Sequence, residues 1–140
     1  MATPNGPQFQ EVLDIINRSK GSIEGEDARK IFRAANIRSW PMEEMPVMSR
    51  GYSGLDQIGS VSKHETLHTA QSHLHGPTLR RYMNEGPPEQ DPEYEEPRKY
   101  LPEVLESKRG HRWIDEGHHR LVADRLNDFY ESEVYEGRLG

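Results

Sequence analysis

The sequence predicts an α+β fold, a small mixed sheet with flanking helices preceded by a helical hairpin, and three observations predict it. Apolar residues recur at helical spacing twice near the start. Two short strand-like runs flank a glycine-containing turn after residue 100. The pattern then changes from extended to helical directly after Gly117.

In order along the chain, Phe9, Val12, Leu13 and Ile16 fall at i, i+3, i+4 and i+7, and Ala28, Ile31, Phe32 and Ala35 repeat that spacing. Such a stripe lets one face of a helix pack while the other stays wet. Lys20-Gly21-Ser22 breaks the pattern, so the two helices form a hairpin ending near Trp40-Pro41. The break resembles a calcium-binding loop only superficially. Ile16, Arg18 and Lys20 occupy the early ligand positions and offer calcium no side-chain oxygen.

Residues 41–63 are rich in glycine, serine, proline and methionine without a sustained period, which predicts a linker or irregular loop. Gly76-Pro77 is a helix-entry signal ahead of Thr78–Met83, and Glu85–Pro97 reads as an acidic, proline-rich loop. Leu101–Leu105 and Arg112–Asp115 look like strands joined through Ser107–Gly110. After Gly117 a helix is expected, with Leu121, Val122, Leu126 and Phe129 on one side. The expected organisation is a helical hairpin over 1–40, a linker over 41–63 and an α+β domain over 64–140.

Composition restricts function. The 140 residues contain no cysteine, which removes disulfides, thiolate zinc sites and thiol catalysis. The start has no basic and apolar leader, and no run is long and apolar enough for a membrane span, so a cytoplasmic protein with no membrane partner is expected. A net charge of -6 speaks against a broad basic surface for nucleic acid, so any phosphate recognition must be local.

A strand that passes through glycine into a helix leaves backbone N–H groups unpaired where the helix dipole favours an anion. Around such a turn lie Gly117, His118, His119 and Arg120. Arg120 can fork onto a phosphate, and the two imidazoles can donate hydrogen bonds or handle protons. Glu116 or Asp115 would then be positioned to carry a magnesium ion or a proton.

The spacing Gly117-x-x-Arg120-x-x-Ala123 between a strand and a helix resembles the phosphate-binding box of the ParB/sulfiredoxin superfamily. The run Trp113–Ala123 is similar to the version in small phage-encoded ParB-like proteins. Leu101–Val104 matches the strand before it, and Leu67–Gln71 with Leu79–Met83 resembles the segment that brings a glutamine and a short helix to the same cleft. The likeness spans roughly residues 64 to 135. It implies a ParB-like domain that binds a nucleotide or nucleic acid, with nuclease or nucleotide-hydrolysing activity and Mg2+ accompanying a nucleotide. It also implies phosphate ligands Gly117, His118, His119 and Arg120, catalytic groups Glu116, His118 and His119, and Gln71 and Arg80 in the cleft. A phage protein of this kind would work in the host cytoplasm. Glu116 replaces the usual aspartate, and the missing cysteine excludes sulfinic-acid reduction.

Two other readings compete. The same fold without catalysis would serve as an interaction protein, docking on a host or viral partner through the N-terminal hairpin and acidic loop. Separately, His64-Glu65-Thr66-Leu67-His68 satisfies the H-E-x-x-H pattern of zinc metallopeptidases, in which one helix face sets two histidines on zinc and the glutamate is base to the metal-bound water, with His73 or His75 as third ligand. The longer form fails, because Gln71 and Leu74 stand where glycine and histidine are required.

Overall fold

A computed structural model describes residues 7–40, 52–90 and 98–139. Both N-terminal helices form where the periodicity places them, α1 over Pro7–Arg18 and α2 over Gly25–Ala34, with the two-residue strand β1 (Ser22–Ile23) between. Asn36 then takes a left-handed conformation (φ 57°), as a residue just past a helix end commonly does. The chain continues as β2 (Ile37–Ser39).

The described part of the expected linker is instead a strand, β3 (Tyr52–Ser62), which pairs antiparallel with β8 (Glu131–Leu139) across almost its whole length. Cross-strand pairing overrides the weak local preferences of its glycines and serines. Next come β4 (Leu67–Thr69), β5 (Leu74–His75) and α3 (Gly76–Glu85), whose entry has Pro77 in the first turn as expected. The acidic loop is described only to Gln90, and its residues 91–97 lie outside the described part. β6 (Glu103–Glu106) and β7 (Arg112–Glu116) form the expected antiparallel pair. After α4 (His118–Leu126), β8 closes the described chain.

Phe129 is not on the α4 stripe. Asp128 turns left-handed (φ 63°), Asp128 N–H donates to Arg125 O and Phe129 N–H to Asp124 O, a Schellman ending that leaves Phe129 52% exposed.

Six strands form one mixed sheet in the order β2-β4-β7-β6-β8-β3, while β1 and β5 pair separately. β2, β4 and β7 run parallel to one another, so their carboxyl ends reach one edge together. Alternation across the pleat divides the apolar side chains. Val104, Ile114 and Val134 join the cluster made with all four helices, whereas Leu105, Trp113 and Tyr135 join Trp40 and Leu101 in a second cluster. The hairpin contributes Val12, Ile16, Ala28 and Ile31 to the same cluster as Leu121 and Val122 of α4. Among the described residues no helix is long and apolar enough to cross a membrane.

Candidate functional site at the carboxyl edge of the parallel strands

The strand–glycine–helix turn is present. β7 ends at Glu116, Gly117 is left-handed (φ 91°, ψ 29°), and Leu121 N–H closes the first turn of α4 on Gly117 O at 3.1 Å. No side chain of the N-cap residue serves the remaining N–H groups. The glycine is needed for reasons inside the protein: a Cβ there would stand 2.6 Å from Pro102 Cα. The close neighbour it admits is therefore the start of β6, where the sequence suggested a ligand.

The three residues after Gly117 send their side chains to separate places. His118 is buried; its Nε2 shares a 2.6 Å hydrogen bond with Thr69 Oγ1, which also accepts from Gln71 N–H, and its ring meets Phe32 edge-on. Burial, with His119 and His73 nearby, lowers its pKa to about 4. His119 is partly buried and accepts a 2.8 Å hydrogen bond at Nε2 from His75 N–H. Burial, with His75 and His73, lowers its pKa to about 4 as well. In the neutral ring the remaining proton then sits on Nδ1, leaving a donor there. Arg120 turns away from both histidines. It donates from Nη1 to Tyr100 O at 2.9 Å and from Nε to Asp124 at 3.4 Å. Asp124 accepts also from Ser132 Oγ, and burial raises its pKa against those partners.

The expected cleft pair is split. Gln71 lies at this edge and donates from Nε2 to His73 O. Arg80 does not: its guanidinium binds the carbonyls of Ile16 and Ser19 and so caps the end of α1. Glu116 is exposed, whereas Asp115 lies near enough to Glu103 for each carboxyl to influence the other. Burial raises the pKa of both, offset at Glu103 by Arg98 and at Asp115 by Glu103 itself.

The H-E-x-x-H residues are not on a helix. His64 lies in a turn closed by Glu65 N–H on Ser62 O, and Leu67 and His68 belong to β4, so His64 and His68 are not stacked on one helical face. Arg112 engages Glu65 at 3.2 Å. Among the described residues no three His, Asp or Glu side chains converge as a metal cage, His64, His68 and His73 included.

Two hollows adjoin the edge. Beside Arg120 a shallow cavity of about 330 Å³ is bounded by Pro88, Lys99, Tyr100 and Glu133. A larger one of about 540 Å³ lies beyond the carboxyl ends of β2 and β4, bounded by Ser39, Trp40 and Thr69–Ser72 on one side and by α2 on the other. Into this second cavity's lining come Arg29, Arg33 and Arg38. The sequence pattern did not single them out, because the basic residues from Arg80 onward are the denser group along the chain. Their signal was two arginines one helical turn apart with a third just past the helix end, in an acidic chain.

No family model matches the chain, and no curated protein or solved structure is similar enough to show kinship.

Proposed function

We propose that this chain binds the phosphate of a nucleotide or nucleic acid at the edge where β2, β4 and β7 end together. The observation that supports it most is the coincidence at that edge of an uncapped helix start after Gly117 and an arginine-lined cavity of about 540 Å³ beside Thr69 and Gln71. In open sheets with parallel strands, ligands settle in the crevice beyond the carboxyl ends, and helix starts and arginines both favour phosphate. The resemblance around Gly117–Ala123 points the same way.

The reading is one of binding first. A histidine whose pKa is about 4 is neutral at pH 7, and the Nε2 of His119 is already occupied, so it is better placed to donate from Nδ1 than to accept a proton. His118 is shut into the core beside Phe32. Thermal unfolding of the full chain with nucleotides, inorganic phosphate and short DNA tests the reading, since a ligand selective for the folded state raises the midpoint. A concentration-dependent rise is expected with phosphate compounds and not with their unphosphorylated counterparts. No rise with any phosphate compound removes the reading. Hydrolysis products that vanish on His119→Gln would add catalysis to it.

A further inference from the structure

The arginine-lined cavity contradicts the charge of the rest of the molecule. Acidic residues outnumber basic ones 24 to 18 along the chain, yet three arginines and, among the described residues, no carboxylate line this hollow. Arg29 and Arg33 stand one turn apart on α2, where like charges repel, and Arg38 adds a third charge from β2. Arg29 has a 3.4 Å ion pair with Glu26, both side chains largely exposed. The side chains of Arg33 and Arg38 make no hydrogen bond or ion pair with any described residue. Like charges held close without carboxylates among them cost stability in the empty protein and are relieved by a doubly charged anion, to which guanidinium groups present matched pairs of donors.

The remaining lining supplies the rest of a ligand site. Ser39 and Ser72 are exposed, with hydroxyls uncommitted to described partners, while Thr69 is already held by His118 and Gln71. Phe32 and Trp40 give an apolar wall. A volume of about 540 Å³ falls within the range of small-molecule sites. A polymer of phosphates would instead meet the field of a chain with net charge -6.

We propose that this cavity is the pocket for a small phosphomonoester of about nucleotide size, with Arg33 and Arg38 as its phosphate ligands. This rests on the phosphate reading above, and it assigns that reading a pocket and a small molecule in place of nucleic acid.

The test is calorimetric titration and thermal unfolding of the full chain with inorganic phosphate, the 5′-mononucleotides, adenosine and a single-stranded oligodeoxynucleotide. The parent, the double variant Arg33→Gln/Arg38→Gln and the control Arg18→Gln are compared, after far-UV circular dichroism shows the variants folded. All three arginines are exposed, and Arg18 pairs with Asp27 at 3.8 Å outside the cavity lining. A mononucleotide should bind the parent and the control alike, weaken with salt, and lose roughly tenfold or more in affinity in the double variant, as expected for loss of charge-assisted bonds. Mononucleotide binding that survives the double substitution overturns the pocket and leaves the phosphate reading standing. Oligonucleotide binding without mononucleotide binding overturns the small-molecule assignment alone. If nothing phosphorylated binds the parent, both fall together.

Discussion

Gly110 and Gly117 have nearly the same backbone torsion, φ 86° and 91°, and different surroundings. A Cβ at Gly110 would meet nothing within 4 Å, whereas at Gly117 it would meet Pro102 at 2.6 Å. Gly110→Ala should therefore cost about 1 kcal/mol, the expense of a left-handed alanine. Gly117→Ala should cost roughly 3 kcal/mol or more, because backbone strain and a collision add. Urea unfolding of the two variants measures the difference, and equal losses would mean that Pro102 yields freely. The histidines of the same turn carry a pH prediction. With folded pKa values near 4 against an ordinary value of 6.5, His118 and His119 stay neutral in the folded chain while the unfolded chain takes up protons. Their contribution is complete above pH 6.5 and is lost as pH falls towards 4. Asp115, Glu103 and Asp124, with raised pKa values, act in the opposite direction, so the histidine effect is read by comparison. The loss of stability between pH 7 and 5 should shrink in His118→Gln/His119→Gln relative to the parent. Nuclear magnetic resonance titration should place both ring midpoints well below 6.5. Sequence pattern located this turn but not where its side chains go: that Arg120 would choose Tyr100 O and Asp124 depends on the return of β6 and β8 beside α4.

Helices were legible because their stripes are local, and β3, one of several strands the sequence reading did not name, depends on a partner far along the chain. Ser53, Gly54, Gly59 and Ser60 give β3 little extended preference of their own, and β8 at the other end of the sequence supplies its pairing. β8 itself carried a readable signal in Ser132 and Val134, both buried between exposed Glu131 and Glu133. The H-E-x-x-H run misleads for the converse reason. Its spacing is helical, but parallel pairing with β2 draws Leu67–Thr69 into the sheet, and Asn36 holds the turn before it through His64 O and Thr66 Oγ1. At this scale Arg125 ties several elements at once. From α4 it donates to Ala35 O and Asn36 O after α2 and to Ser62 O at the end of β3, and burial lowers its pKa to about 10. Arg125→Met keeps much of the stem and removes the guanidinium donor from Ala35 O, while Asn36 O keeps Leu67 N–H and Ser62 O keeps Glu65 N–H, so a loss of about 1–3 kcal/mol is expected from unfolding curves. Amide exchange should quicken around residues 35–37 and 61–63 in that variant. Unchanged exchange there would show that these elements hold without the arginine.

At the scale of the molecule, the hairpin and the sheet share an interior. Ile16 of α1 is 1% exposed and clusters with Leu79, Leu121 and Val134, while Arg80 from α3 fastens the end of α1 through two carbonyls. The tryptophans report from elsewhere: Trp40 and Trp113 touch edge-on at 5.1 Å in the second cluster, which includes no residue of α1. If the described elements unfold as one unit, damage in α1 must reach the tryptophans across the sheet. Ile16→Ala should cost about 2–5 kcal/mol and move the tryptophan fluorescence midpoint and the far-UV circular dichroism midpoint together. A separable hairpin would give a different result, with helical signal lost early and fluorescence unchanged. The distinction bears on function, because the arginine-lined cavity has one wall on α2 and the other on the ends of β2 and β4. Trp40 itself lines that cavity and touches Trp113, whereas α1 does not line it, so in a single cooperative unit bound phosphate should raise the midpoint of the helical signal in step with that of the fluorescence as ligand concentration rises.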